Sequence, residues 1–428
     1  MIQTLHPTTR VQGEIRVPGD KSVSHRAAIF GSVAHGTTRI SSFLKAHDTQ
    51  ATLQCLRELG LSIGEENEQL VVEGRGFEGL RAPNRVLDCG NSGTTMRLLL
   101  GVLAGCPFET TIGGDASLSR RPMDRVRVPL SQMGADVVGQ GERNTPPLTV
   151  RGGSLKAIEY AMPVASAQVK SCVLLAGLQA RGKTTVIEPS PARDHTERML
   201  RAFGVEVSQE NNRVSVEGNA RLQATDVRVP GDISSAAFFF VAGALRPSFQ
   251  VRVLDVGVNP TRTGILDVLR AMGARVELEN PRESGGEPIA DVTIRGGDLK
   301  ATQIGGALIP RLIDELPVLA LLATQCEGTT TIRDAQEMRV KESDRIAIIS
   351  QELRKLGAHI EEQPDGMTIH GPAKLMGATV TSPPGDHRIA MTLAIASLIC
   401  EGETTLENSQ AVTSSFPNFF SLLDEVRA

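Results

Sequence analysis

The stretch Val17–Ala28 reads "VPGDKSVSHRAA", and its first four residues return at Val229–Asp232 in "VPGDISSAAFFF". In both, a Pro-Gly turn and an Asp precede an apolar run, which marks a capped helix entry. A third copy, "PGDHRIAMTLAIAS", opens at Pro384. One chain thus starts three segments alike, and only two of them carry cations just after the turn.

Working outward, three patterns recur. An apolar helix runs through a polar turn into a Thr pair in "AAIFGSVAHGTTRI", "LLLGVLAGCPFETTI", "VLLAGLQARGKTTVI", "LALLATQCEGTTTI" and "LAIASLICEGETTL". The fourth copy, "FFFVAGALRPSFQVRV", is degenerate. A second helix closes on Gly in "LRELGLSI", "LSQMGADV", "LRAFGVEV", "LRAMGARV" and "LRKLGAHI"; its sixth copy is only the terminal "FFSLLDEVRA". A short alternating strand meets a turn in "LVVEGR", "LTVRGG", "VSVEGN", "VTIRGG" and "MTIHGP". The period is on the order of 70 residues, so about six α/β units fill the chain. Each has two helices alternating with short strands. The Gly suits a left-handed helix C-cap, and the Thr pair suits entry into a strand. No GxGxxG follows a first strand, so this is not a dinucleotide fold.

Six such units could stack as a solenoid or form two similar lobes of three. The paired "VPGD" segments favour lobes, as the two strands that cross between them. That predicts a discontinuous first lobe, residues 1–19 plus 231–428, and a second lobe, 20–230. The active site is then expected in the interdomain cleft.

The bulk numbers agree with a large globular chain: 428 residues, 40% hydrophobic and 22% charged. A formal net charge of -4 gives no sign of a nucleic-acid or anionic-membrane partner. Aromatics are 3%, with no Trp, which argues against base-stacking platforms. The six Cys show no CxxC or Cys/His spacing and read as small buried hydrophobes in a reducing compartment. The N-terminal residues lack a signal-peptide apolar core, and no apolar run reaches the ~18 residues of a spanning helix. A cytoplasmic location is expected.

Several segments break the repeat by adding charge. Lys21, Ser22 and Arg26 precede an apolar helix, and a helix N-terminus with hydroxyls and cations is a ready anion site. "DCGNSGTTMRLL" places small residues, Gly93 among them, before another such helix. "SLSRRPMDRVRV" carries Arg121 in a run that would otherwise read as a solvated face. "MPVASAQVKSCVLL" sets Ser166, Ala167 and Gln168 at a third helix start, and "SPARDHTERML" supplies Arg193. "IPRLIDELPVLALL" puts Asp314 at the mouth of a very apolar helix, where it could simply complement the helix dipole. "QEMRVKESDRIAI" packs Lys341, Glu342 and Arg345 together, and "PGDHRIAM" adds Arg388. Pooled, these residues predict a strongly cationic site in a net-acidic protein, suited to phosphorylated small molecules. Asp314 and Glu342, set among the cations, are the candidate proton-transfer groups.

On "PGDKSVSHR", "GNSGTTMR", "SAQVKS", "RVKESDR" and "GDHRIAM" the chain resembles the 5-enolpyruvylshikimate-3-phosphate synthase family along its whole length. The resemblance implies an α/β fold of two lobes, each of three βαβαββ repeats, an inside-out α/β barrel. It implies transfer of the enolpyruvyl group of phosphoenolpyruvate to the 5-hydroxyl of shikimate 3-phosphate, by addition and then loss of phosphate. No metal or organic cofactor is implied, and the chain is expected to act as a monomer. Carried over by motif, Lys21 touches both substrates. Ser22, Arg26, Ser166, Ala167, Gln168, Arg193, Asp314 and Lys341 bind shikimate 3-phosphate. Gly93, Arg121, Gln168, Arg345 and Arg388 bind phosphoenolpyruvate. Asp314 accepts the hydroxyl proton, and Glu342 exchanges a proton near the methylene carbon.

"GDKS", "SAQVK", "RDHTE" and "NPTR" resemble the class II branch of the family. Ala167 replaces a Ser common in the other class, and Ser415 stands where that class usually has a Lys. That branch includes enzymes insensitive to glyphosate, some with Ala where this chain has Gly93.

The nearest rival is the sister transferase acting on UDP-N-acetylglucosamine, which usually has a reactive Cys where Asp115 stands and Lys-Asn in place of Lys21-Ser22. A non-catalytic repeat scaffold would explain the periodicity but not Asp314 among basic residues.

Overall fold

The computed structural model describes residues 1–427. The chain forms two compact units. The first comprises Met1–Pro18, Pro230–Glu283 and Pro288 onward; the second comprises Gly19–Val229 with Ser284–Glu287. Each buries its own hydrophobic core.

One four-stranded motif is used repeatedly. In the second unit, Lys183–Ile187 pairs in parallel with Glu159–Ala161 and antiparallel with Arg213–Glu217, which pairs antiparallel with Val207–Glu210. Leu87–Asp88, Glu109–Gly113, Thr145–Arg151 and Asp136–Gln140 repeat that order. In the sheet built on Ala34–Ser41, the parallel partners Leu222–Gln223 and Val227–Arg228 come from the far end of the same unit. Unit closure therefore uses chain segments almost 200 residues apart.

The first unit repeats the motif with one substitution. Gln12–Arg16 lies parallel to Gln250–Gly257, and Gln303–Ile304 lies parallel to Gly328–Ile332. The last repeat has Thr379–Thr381 parallel to Thr404–Glu407, and among the described residues no hairpin follows its helix Phe419–Arg427. Strand Ile2–Leu5 fills the vacancy, antiparallel to Thr404–Glu407. The N-terminal residues thus supply strands to two different repeats.

Each repeat places one helix inside. Lys21–Val33, Gly93–Leu103 and Ala167–Gly177 bury most of their residues in the second unit. Ile233–Ala244, Leu316–Ala323 and His387–Ala396 are buried throughout in the first. A helix apolar on all sides has no solvent face to offer, so it must sit in a core. Small residues set the spacing: a Cβ on Gly101 would lie 2.3 Å from the Cys172 carbonyl oxygen. The outer helices end as the Gly pattern predicts. Gly60, Gly134, Gly204, Gly273 and Gly357 all have φ between 79° and 107°, where a side chain is strained. The Thr pairs enter strands, with Thr38, Thr110, Thr184, Thr330 and Thr404 facing inward. All six Cys are buried and unbridged. Among the described residues no helix is long and apolar enough to cross a membrane.

Candidate active site

All three "PGD" Asp residues are helix N-caps. Asp20 accepts the Val23 N–H at 2.9 Å, Asp232 the Ser234 N–H at 2.8 Å, and Asp386 the N–H groups of Arg388 and Ile389 at 3.2 and 3.4 Å. Ser92 and Ser166 cap two more inner helices, through the Thr95 and Val169 N–H groups. The sequence-selected residues Lys21, Ser22, Gly93, Ala167, Gln168 and Arg388 therefore stand in the first turns of inner helices, where N–H groups favour anions.

In the second unit, Lys21 Nζ lies 2.9 Å from Asp48 Oδ2. Arg26 is 3% exposed and directs its guanidinium inward: Nε donates to Thr196 Oγ1 at 2.8 Å, Nη2 to Ser171 Oγ at 2.7 Å and Nη1 to the Ser22 carbonyl at 3.0 Å. Burial pulls its pKa down to about 10, opposed by Glu197 and Asp20, so it stays charged at neutral pH. It joins the helix starts at Lys21 and Ala167 to the segment carrying Arg193.

Arg121 donates from Nη2 to Asn91 Oδ1 at 2.6 Å and from Nη1 to the Asn91 carbonyl at 3.4 Å, which fixes it against the loop before Gly93. Arg97 was not picked out individually from the sequence. Its Nη1 donates to Gln168 Oε1 at 2.5 Å, and Gln168 Nε2 donates to Thr94 Oγ1 at 2.8 Å. A Cβ on Gly93 would sit 2.8 Å from Arg97 Nη1 and 3.3 Å from Arg121 Nη1. Gly93, Arg121 and Gln168 are thus drawn together, with Arg97 among them. Asp115 is occupied structurally: Oδ1 accepts the N–H groups of Ser117 and Leu118, and Oδ2 accepts Asn91 Nδ2.

Beneath these residues runs a buried hydroxyl chain. His25 Nδ1 is 2.7 Å from Thr52 Oγ1, which is 2.6 Å from Thr95 Oγ1, itself 2.7 Å from Ser92 Oγ. Burial lowers the His25 pKa from 6.5 to about 3; Asp48 and Asp20 oppose this while Lys21 and Arg26 reinforce it. The unfolded chain takes up this proton near pH 6.5 and the folded chain does not. Stability is therefore held above pH 6.5 and lost as pH falls toward the folded value. Between pH 6.5 and 4.5 the loss is ~2–3 kcal/mol. His25→Gln is expected to flatten the fall in melting temperature over that range; an unchanged slope would contradict this origin.

In the first unit, five predicted residues form one ion-pair cluster. Asp314 Oδ1 lies 3.6 Å from both Lys341 Nζ and Arg345 Nη1, and 3.9 Å from Arg388 Nε. Arg345 is 1% exposed and also meets Glu342 at 2.7 Å and Asp386 at 3.0 Å. Burial opposes its charge, but the pull of Asp386, Glu342 and Asp314 overcomes it and raises its pKa. Asp386 is held further by Ser343 Oγ at 2.7 Å. The N-cap that starts the helix His387–Ala396 is thus also the counter-ion of Arg345.

The middle "PGD" segment is armed in a way its own residues do not show. Arg262, from "NPTR", is 2% exposed and donates to Ser234 Oγ at 2.7 Å, with Asp232 at 3.4 Å. Ser234 in turn donates to Glu315. A cation balances Asp232 after all, but it arrives from 30 residues downstream and is spent inside the core. Ser415 is 8% exposed.

Two compact units of repeated βαβαββ-type elements give the chain the fold of the enolpyruvyl transferases. The enolpyruvyl transferase NikO from Streptomyces tendae shares the fold at TM-score 0.82 over 99% of this chain and 97% of its own, at 19% identity. The chain also matches the EPSP synthase (3-phosphoshikimate 1-carboxyvinyltransferase) family model over residues 5–423, and it belongs to that family. A 3-phosphoshikimate 1-carboxyvinyltransferase of Bacillus thuringiensis subsp. konkukian (strain 97-27) is 54% identical over 425 residues, 99% of each chain. That of Bacillus subtilis (strain 168) is 52% identical, over 99% of this chain and 98% of its own. An EPSP synthase structure from Acinetobacter baumannii is 46% identical with TM-score 0.89, over 99% of this chain and 98% of that one.

Proposed function

We propose that the chain, acting as a cytoplasmic monomer, transfers the enolpyruvyl group of phosphoenolpyruvate to the 5-hydroxyl of shikimate 3-phosphate, a step toward aromatic amino acids. The observation that carries this reading is Asp314, a carboxylate within 4 Å of Lys341, Arg345 and Arg388. A base in such a setting can take a hydroxyl proton while the cations beside it hold an anionic donor.

In the addition, the 5-hydroxyl oxygen bonds to C2 of phosphoenolpyruvate, its proton passes to Asp314, and C3 gains a proton from Glu342. In the elimination, C3 returns a proton to Glu342, the C2–O bond to phosphate breaks, and phosphate leaves with the proton that Asp314 had taken up. Arg121, Arg345 and Arg388 hold phosphoenolpyruvate, with Gly93 leaving room for it. Ser22, Arg26, Ser166, Ala167, Gln168, Arg193 and Lys341 hold or frame shikimate 3-phosphate. Lys21, paired with Asp48, serves both substrates. Arg26 gives one N–H from each guanidinium nitrogen to Thr196, Ser22 and Ser171, and a second N–H on each Nη remains for the substrate. Phosphate release with shikimate 3-phosphate and phosphoenolpyruvate tests the reading; release with UDP-N-acetylglucosamine as the only effective acceptor would sink it. The hydrogen-bonded Asp115, where the sister enzyme usually has a reactive Cys, speaks against that alternative.

Gly93→Ala gives a further expected outcome. The new methyl would displace the Arg97 guanidinium and press on that of Arg121. A competitive inhibitor that fills the phosphoenolpyruvate site, such as glyphosate, is expected to lose on the order of tenfold or more in affinity. The KM for phosphoenolpyruvate should rise by a smaller factor. Inhibition constants measured side by side check this, and equal values would contradict it.

A further inference from the structure

We propose that Lys170 is a positioning residue for shikimate 3-phosphate: its ammonium ties the helix Ala167–Gly177 to both ends of segment 188–197 and so sets Arg193 and Arg26 in place. The inference rests on the shikimate 3-phosphate reading above.

Lys170 is 0% exposed on a helix whose other buried residues, Ser171 apart, are apolar or Gly, Val169, Cys172 and Leu174 among them. A bare ammonium there would be expelled or neutralised, since an unpaired buried charge costs several kcal/mol. Its Nζ lies 3.0 Å from Glu188 Oε1 and 2.5 Å from Glu197 Oε1, and donates to the Ala192 carbonyl at 3.4 Å. Glu188 Oε1 accepts the Ala192 N–H at 3.0 Å. The backbone of Glu188 is held in turn: its N–H donates to the Asn212 carbonyl at 2.8 Å, and its carbonyl accepts Asn212 Nδ2 at 2.9 Å. One ammonium therefore grips the first residue, the middle and the last residue of "EPSPARDHTE".

That segment includes Arg193 and Thr196. Thr196 Oγ1 accepts Arg26 Nε and sits 2.6 Å from Ser171 Oγ, next to Lys170 in the chain. Two Pro residues, Pro189 and Pro191, deny the segment backbone N–H donors of its own. It is neither helix nor strand before His195, and the Lys170 ion pairs hold both of its ends. Burial also raises the Glu197 pKa, with Lys170 opposing the rise, so removing the ammonium leaves two carboxyl groups in the core.

The test compares wild type, Lys170→Met and Glu188→Gln, with shikimate 3-phosphate and phosphoenolpyruvate varied separately. Lys170→Met is expected to raise the KM for shikimate 3-phosphate on the order of tenfold or more, with a shift in the KM for phosphoenolpyruvate of less than about threefold. Glu188→Gln, the milder change, moves the same constant in the same direction by less. The double variant is no worse than Lys170→Met alone, because the two residues form one clamp. Hydrogen exchange supplies a second readout: backbone amides of 192–197 lose protection in Lys170→Met. Equal shifts in both KM values, or none in either variant, would overturn the proposal. If Lys170→Met does not fold, Glu188→Gln alone decides between these outcomes. Unchanged exchange across 192–197 would overturn the clamp whether or not the wild type turns over this acceptor, so its failure is distinct from failure of the activity reading.

Discussion

Asp314→Asn is expected to lower the kcat of phosphate release by about 10²–10⁴-fold, with the KM of either substrate changed far less. The amide keeps the size and can still receive a hydrogen bond from Lys341 or Arg345, but it cannot take up the hydroxyl proton. Three cations lie within 4 Å of Asp314. Removing its charge leaves those cations more available to an anionic donor, so a lower KM for phosphoenolpyruvate would fit the account. Steady-state kinetics check the split. A large rise in KM with kcat unchanged would show that Asp314 binds substrate without carrying its proton.

Arg345→Met is the second large effect, and it acts on stability and binding at once. Arg345 is the common counter-ion of Asp314, Glu342 and Asp386. Taking one member from a buried ionic cluster leaves uncompensated charge and costs ~3–5 kcal/mol. Calorimetry is expected to show a melting temperature lower by several degrees, and the KM for phosphoenolpyruvate should rise steeply. Adding Asp386→Asn removes the charge of the carboxylate most deeply buried beside Arg345 and keeps an oxygen to cap its helix, so it should recover part of the stability and none of the binding. Recovery of both would mean that Arg345 serves the fold alone.

Most of the architecture was legible because it rests on local rules. Apolar helices, a Gly that must turn left-handed and Thr-led strands repeat often enough to be counted, and each appears where the pattern placed it. Even the truncated sixth repeat was visible as "FFSLLDEVRA", although only the structure shows Ile2–Leu5 completing its sheet. The ion-pair cluster of the first unit was legible too, since Lys341, Glu342 and Arg345 are near neighbours in the chain. What escaped the sequence was pairing at long range. Asp48 beside Lys21, Arg262 beside Asp232 and Lys170 between Glu188 and Glu197 look like ordinary surface charges in one dimension. Their meaning comes from burial, which raises the cost of a bare charge and makes a partner obligatory. The same reason explains the bonds that Arg26 makes to Thr196, Ser171 and Ser22, which its motif alone does not show.

The opening contrast among the three "PGD" segments resolves in these terms. All three Asp residues cap helices, and Asp232 and Asp386 each meet an arginine. At Asp386 that arginine, Arg345, belongs to a cluster with Asp314. At Asp232 it is Arg262, sealed in the core with Ser234 and Glu315.

The most direct test of the central claim is the stoichiometry of the reaction with purified chain. Phosphoenolpyruvate and shikimate 3-phosphate are mixed with wild type, and phosphate and the enolpyruvyl product are followed together by phosphorus NMR. One phosphate is expected for each shikimate 3-phosphate converted, with no turnover when UDP-N-acetylglucosamine replaces it. Phosphate release that does not depend on shikimate 3-phosphate, or none with either acceptor, would contradict it.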